Sequence, residues 1–126
     1  MKSDVEVFLA YAAAFEVAYA TDNWRTVRSS FADDAVYEVE GPPPFAGKWE
    51  GADAIVHHLI QSVNGFDRQY DERALEILEG PEVKDGAVHI RWGGVYRKKG
   101  QPELRSEGEE LAWIKDGKIA RLKDIM

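Results

Sequence analysis

The sequence predicts an α+β fold in which a cone-shaped, curved and mostly antiparallel β-sheet wraps around three helices and encloses a cavity. Apolar residues recur every three or four positions through much of the N-terminal half, which is the spacing of one helical face. The C-terminal half instead holds four consecutive segments rich in strand-forming residues and bounded by glycine or proline. Because helices and strands are segregated rather than alternating, the expected order is ααβαββββ.

Two helices are predicted at the start of the chain. Helical spacing from Asp4 to Ala20 predicts a long first helix. Thr21 and Asp22 offer oxygens that can cap a second, shorter helix, whose apolar spacing continues to Phe31. The two helices are expected to form a hairpin.

A strand and a third helix follow. Ala35–Glu40 is rich in strand formers, and the prolines at 42–44 end it because proline has no N–H to donate. The stretch after the prolines is expected to be a loop. A third helix is predicted from Gly51 to Gly65, with Asp53 as its cap and Leu59 on its apolar side.

The second half is predicted to form strands at Gln69–Leu78, Ala87–Lys98, Leu104–Ile114 and Ile119–Ile125. Asp-Gly dipeptides at 85–86 and 116–117 are typical hairpin turns, so neighbouring strands should pair antiparallel. Gly93 and Gly94 inside a strand predict a bulge or bend, which a strongly curved sheet needs.

Composition limits the classes of partner. At 126 residues, 44% of them hydrophobic, residues 1–126 are expected to form a single domain. The net charge is -7 and basic residues do not cluster, so neither nucleic acid nor a membrane surface is an expected partner. The chain has no apolar run of membrane-spanning length and no secretory signal, which predicts a cytoplasmic protein. The absence of cysteine excludes disulfides and thiolate nucleophiles.

Three sequence stretches carry a family resemblance: FADDAVYEVEG (31–41), FAGKWEGADAIVHHL (45–59) and WIKDGKIARLKDI (113–125). With the order of elements, they resemble the nuclear transport factor 2-like (NTF2-like) superfamily, in the branch of SnoaL-like polyketide cyclases and ketosteroid isomerases. The resemblance covers nearly the whole chain. It implies a conical cavity for a small hydrophobic molecule, no cofactor, and a homodimer formed through the sheet face. The same frame hosts enzymes, binders and assembly modules.

Two acidic candidates follow from the isomerase roles, which combine an acidic base with a tyrosine and a protonated acid. The general-base position falls on Val39, with Glu40 next to it, and the protonated-acid position falls on Glu110. By strand alternation Glu110 shares a face with small residues such as Gly108 and Ala112, where burial would raise its pKa. The alternative is that the Glu-Gly-Glu-Glu segment is a solvated strand face.

A tyrosine and a histidine complete the polar candidates. The isomerase tyrosine position falls on Phe15, so Tyr11 or Tyr19, one turn away, would supply the hydroxyl. The resemblance places His58 in the pocket, where it could act as acid or base; the alternative is a boundary histidine with a structural hydrogen bond. Because His58 and its neighbour diverge on a helix and His89 is the remaining histidine, no metal site is expected.

Aromatic residues are the expected walls of the pocket. The aromatic candidates are Tyr11, Phe15, Tyr19, Tyr37, Trp49 and Trp92, and the aliphatic candidates beside them are Val39, Leu59 and Ala112. Trp49 lies between glycines that suit a mobile lid, so Trp49 and Tyr11 are the favoured members. The alternative is that the others pack the core or a dimer interface.

The predicted function is a cofactor-independent isomerase or cyclase that moves a proton α to a carbonyl in a hydrophobic molecule, with Glu110 or Glu40 as acid or base. The alternative is a non-catalytic module that binds a small molecule or dimerises. The Asp-Arg-Asp arrangement of an epoxide-hydrolase relative is not matched. Gly93 stands where the acid beside Arg91 would be, and Asp124 has no evident partner.

Overall fold

The computed structural model describes residues 2–126 and places three α-helices with a six-stranded sheet. The helices are α1 (Asp4–Thr21), α2 (Arg25–Ser29) and α3 (Ala52–Gly65), and a 3-10 turn spans Asp67–Gln69. The strands are β1 (Phe31–Glu40), β2 (Gly47–Glu50), β3 (Glu72–Lys84), β4 (Ala87–Arg97), β5 (Leu104–Lys115) and β6 (Lys118–Ile125). The predicted α+β class and the order of the predicted elements are confirmed, with β2 as an additional short strand.

The sheet has the strand order β2-β1-β6-β5-β4-β3. Every neighbouring pair is antiparallel except β1 and β6, which are parallel. Both predicted Asp-Gly hairpin turns are confirmed: φ is positive at Asp85, Gly86, Asp116 and Gly117, as a two-residue turn of this type requires.

The boundary between the first two helices and β1 differs from the prediction. Thr21 is the last residue of α1 and Asp22 follows it with a left-handed φ of 61°, so both residues end α1 instead of starting α2. Phe31 begins β1 rather than ending α2. The reason is strand pairing, since the Ile119 N–H donates to the Ser30 carbonyl at 2.8 Å and draws this segment into the sheet.

Two further predictions around α3 are wrong. Gly51 is the N-cap of α3, while Asp53 lies in the first turn and accepts from Arg28 Nε at 2.7 Å. The expected loop after the prolines contains β2, because the chain turns back at 42–44 and pairs with β1.

The bulge expected at Gly93 and Gly94 is also misplaced. The register of β4 against β5 is continuous through both glycines, and the register shifts lie in β3, after Ile77 and after Glu79. A Cβ atom on Gly94 would lie 2.9 Å from Leu75 Cδ2. Glycine at this position therefore lets a side chain of the edge strand pack close to β4.

The two faces of the sheet differ in chemistry. The inner face packs against α1 and α3, and the largest fully buried side chains are Phe8, Phe31, Ile55, Ile119, Leu122, Val27 and Val88. The outer face carries cross-strand ion pairs, for example Arg121 with Glu38 at 3.0 Å. Within residues 2–126, no helix combines the length and the apolar character that crossing a bilayer requires.

Candidate functional site

A pocket of about 340 Å³ lies between the helices and the inner face of the sheet. Its aromatic lining residues are Phe8, Tyr11, Phe15, Tyr37, Trp92 and Tyr96. Its acidic lining residues are Glu16, Asp67, Glu76, Glu110 and Asp124. A larger and more open depression of about 710 Å³ borders α2 and α3, but it holds none of the predicted site residues. The enclosed pocket is therefore the candidate site.

Three neighbouring strands bring polar side chains together in this pocket. Glu110 on β5 and Asp124 on β6 are directly opposite each other in the antiparallel register, and both line the pocket. Opposed side chains on one face of a sheet lie within contact distance. Tyr37 on β1 donates its hydroxyl hydrogen bond to Asp124 Oδ2. The result is a cluster of two carboxyls and a phenol with apolar surroundings.

Both carboxyl groups hold a proton to higher pH than an exposed carboxyl group does. Burial raises the pKa of Glu110 well above its usual range, and the charge of Asp124 raises it further. Burial also raises the pKa of Asp124, while hydrogen bonds from Glu110 and Tyr37 act to lower it. Of the two carboxyl groups, Glu110 therefore keeps its proton to higher pH, while the hydrogen bonds to Asp124 favour placing the negative charge there.

An otherwise orphaned oxygen supports this protonation state. Asp124 Oδ1 is buried, and no N–H or hydroxyl group of residues 2–126 donates to it. A buried acceptor without a donor is costly. A protonated Glu110 carboxyl, directly opposite Asp124 in the strand register, would supply the missing donor.

Tyr11 is a second phenol beside this pair. Burial raises its pKa well above the usual value, and the charges of Glu110 and Asp124 add to the effect. The pKa of Tyr37 is raised in the same way, by burial first and then by Asp124. Both tyrosines therefore remain protonated hydrogen-bond donors at physiological pH. Tyr37 is bonded to Asp124, and Tyr11 lines the same pocket.

A second polar cluster bounds the pocket where α1, β3 and the 3-10 turn meet. Arg73 donates to Asp67 at 2.6 Å and to Glu16 at 2.9 Å, and its side chain is only 4% exposed. Its guanidinium also lies 4.2 Å from the centroid of the Tyr19 ring. Burial raises the pKa of Asp67 despite the opposing charge of Arg73. Sequence analysis missed this cluster, because its members are separated along the chain and belong to no motif.

The structure brings six predicted residues to the pocket lining: Tyr11, Phe15, Tyr37, Leu59, Trp92 and Glu110. Val39 and Ala112 are buried in the adjoining hydrophobic core instead. Tyr19 lies under Arg73 rather than on the lining.

Three predicted residues lie outside the pocket. Glu40 is exposed and accepts from Lys123 Nζ at 2.8 Å, because strand alternation turns Val39 inward and Glu40 outward. His58 and Trp49 stack on each other, with ring centroids 3.5 Å apart, and neither lines the pocket. Burial lowers the pKa of His58, and the neighbouring His57 adds to this effect. The stack holds Trp49 in place, which does not fit the expected lid.

Asp124 is the site residue that sequence analysis passed over. No partner for Asp124 is evident from the sequence, yet in the structure Asp124 lies opposite Glu110 and accepts a hydrogen bond from Tyr37. The available signal was alternation along β6, since Leu122 and Asp124 share the inner face.

The architecture and the pocket define an NTF2-like fold, as in an NTF2-like protein of unknown function from an Exiguobacterium species. That protein superimposes with a TM-score of 0.71 at 16% identity, over 94% of this chain and 95% of that chain. Residues 11–122 match the SnoaL-like domain, and the chain belongs to this family.

Two other solved structures share the fold. A candidate polyketide cyclase from Sinorhizobium meliloti has a TM-score of 0.64 at 23% identity, over 90% of this chain and 92% of that chain. A protein of ketosteroid isomerase-like fold from Catenulispora acidiphila, in complex with trimethylamine, has a TM-score of 0.68 at 18% identity, over 97% and 85%. A search of curated proteins found no match. At these identities the structural matches establish the fold alone.

Proposed function

We propose that this protein is a cofactor-independent enzyme that transfers a proton at the carbon next to a carbonyl group in a small hydrophobic molecule. The observation that carries this proposal is the Glu110–Asp124 pair, whose carboxyl groups are opposed across two strands and line an aromatic pocket. Carboxyl groups whose pKa is shifted toward neutrality by burial are suited to acid–base catalysis. The SnoaL-like family and the cyclase and isomerase-like structural neighbours are consistent with this chemistry.

The pair can supply a base without losing the Glu110 proton. When the Glu110 proton moves to Asp124 Oδ1, Glu110 becomes a carboxylate facing the pocket. Glu110 then takes a proton from the α-carbon, the electron pair of the C–H bond forms a carbon–carbon double bond, and the π electron pair of the carbonyl group moves onto its oxygen. Tyr11 donates a hydrogen bond to that developing oxyanion. Return of the proton from Glu110 to another carbon completes an isomerisation.

The alternative is a non-catalytic pocket that only binds its ligand. The positions of Glu40 and His58 outside the pocket favour this alternative, because fewer acid–base groups reach the ligand than the sequence suggested. The two functions differ in one observable quantity. A catalyst exchanges ligand protons with solvent, whereas a binder does not.

The test is solvent deuterium exchange into the methyl group of 2-acetonaphthone, followed by NMR in D2O. Wild type is expected to accelerate exchange. Glu110→Gln and Asp124→Asn should each reduce the protein-dependent rate about 100-fold or more, the usual contribution of a general base. Glu40→Gln is the matched control, since Glu40 is an exposed carboxylate outside the pocket. Saturable binding without exchange, or exchange that survives in Glu110→Gln, would reject the catalytic proposal.

A further inference from the structure

We propose that the pocket selects hydrophobic ligands that carry a basic amine and rejects those that carry a carboxylate. Since the proposed reaction requires a carbonyl group, a substrate that also carries the amine is an amino ketone. The inference rests on the proposed function in that it names the ligand class of the same pocket.

The first observation is the sign of the charges around the pocket. Five acidic side chains line it, and no lysine, arginine or histidine of residues 2–126 does so. Arg73 lies behind the lining and offsets part of the charge of Glu16 and Asp67. This pairing leaves the lining net negative, so a ligand carboxylate would meet repulsion from the walls.

The second observation is that the negative charge on the carboxyl pair has no counter-cation. Within residues 2–126, no basic side chain forms an ion pair with Glu110 or Asp124. The hydrogen bonds from Tyr37 and Glu110 stabilise Asp124 but leave its charge in place. Buried charges in proteins are normally paired. An ammonium group on the ligand would supply the missing cation.

The third observation is the aromatic wall beside the acids. Tyr11, Tyr37 and Trp92 line the same pocket as Glu110 and Asp124. The face of an aromatic ring attracts a cation, most strongly when water is excluded. An ammonium group on the ligand is therefore attracted both by the rings and by the protein carboxylate, whereas a carboxylate on the ligand is attracted by neither.

The test compares three ligands that share one skeleton: 2-naphthylmethylamine, 2-naphthalenemethanol and 2-naphthoate. Their affinities for the wild-type protein are measured by isothermal titration calorimetry at pH 7 and low salt. The amine should bind roughly tenfold more tightly than the alcohol, because one charge is attracted in a site of low dielectric constant. The carboxylate should show no saturable binding. Equal affinity for amine and alcohol, or tighter binding of the carboxylate, would overturn the inference.

Variants locate the origin of the preference. Asp124→Asn should lower the amine-to-alcohol affinity ratio roughly threefold. Glu16→Gln, at the half-exposed end of the pocket, should also lower the ratio roughly threefold. This variant leaves the Glu110–Asp124 pair unchanged. Glu72→Gln removes the same charge from an exposed ion pair with Arg97 outside the lining, and the ratio should not change. A ratio that stays at the wild-type value in both pocket variants contradicts the inference.

This experiment is separate from the proton-exchange assay. If the protein accelerates exchange of 2-acetonaphthone but does not prefer the amine, the proposed function is retained and the charge selection is rejected. If the protein prefers the amine but does not accelerate exchange, the pocket binds amines and the catalytic proposal is rejected.

Discussion

At the level of single residues, Glu110 links proton binding to the stability of the fold. Its pKa in the folded protein is raised well above the ordinary value of 4.5, first by burial and then by Asp124. The folded state therefore binds the Glu110 proton more tightly than the unfolded state does. The resulting stabilisation is complete below pH 4.5 and is lost as pH rises through the raised pKa.

Glu110→Gln should remove this dependence. The free energy of unfolding of the variant is expected to rise relative to wild type as pH increases from 4.5 towards the raised pKa of Glu110, by about 1.4 kcal/mol for each unit of pKa difference. Urea unfolding at several pH values measures the change. Glu40→Gln, at an exposed carboxylate, should follow the wild-type curve. A constant difference between Glu110→Gln and wild type across this range would show that Glu110 titrates normally.

Gly108 determines where the Trp92 wall of the pocket lies. A Cβ atom at this position would be 2.7 Å from Trp92 Cζ2 and 2.5 Å from the Ile125 carbonyl oxygen. Gly108→Ala should therefore destabilise the protein by about 1–3 kcal/mol and shift the indole, measured by urea unfolding and tryptophan fluorescence. Gly65→Ala is the control, because nothing lies within 4 Å of its added carbon. Wild-type stability and fluorescence in Gly108→Ala would contradict this account.

At the level of elements, Arg73 holds β3 against α1 and the 3-10 turn. Removing one partner from a largely buried ion network leaves the remaining charges uncompensated. Arg73→Gln should therefore lower the free energy of unfolding by about 2–4 kcal/mol. Arg73→Lys should recover only part of this loss, since an ammonium cannot reproduce the planar fork that contacts both Asp67 and Glu16.

The control for Arg73 is Arg97→Gln. Arg97 also contacts two carboxylates, at 2.8 Å on Glu103 and 3.3 Å on Glu72, but its site is open to solvent. Exposed ion pairs contribute little, so this variant should unfold close to wild type in urea. Equal effects at both arginines would mean that burial of Arg73 does not matter.

Strand pairing explains which parts of the site the sequence could predict. Glu110 was found because alternation along β5 depends only on neighbouring residues. Asp124 was missed because counting from the Asp116-Gly117 turn places Lys123 opposite Glu110. A register shift between Trp113 and Ile114 moves the pairing by one residue and brings Asp124 there instead. Such an irregularity depends on packing across the sheet, and local sequence does not specify it.

At the level of the whole molecule, we predict that the outer face of the sheet forms the interface of a homodimer. Leu111 and Trp113 on β5 are only partly buried there, and the Arg121 guanidinium lies 4.7 Å from the Trp113 ring. His89 Nδ1 is buried without a hydrogen-bond partner among residues 2–126. A second copy against this face would cover the apolar residues while leaving the pocket, on the opposite face, open to ligand.

The dimer is testable by light scattering after gel filtration. Wild type is expected to elute with twice the 14.2 kDa mass of one chain at micromolar concentration. Leu111→Lys places a charge at the proposed interface, so it should give monomers that still bind 2-acetonaphthone, because Leu111 does not line the pocket. Arg25→Gln, at an exposed position on α2 away from the outer face of the sheet, serves as the control and should remain dimeric. If wild type is a monomer at these concentrations, the dimer prediction is wrong and the outer face is exposed to solvent. The pocket is then the feature through which this fold acts.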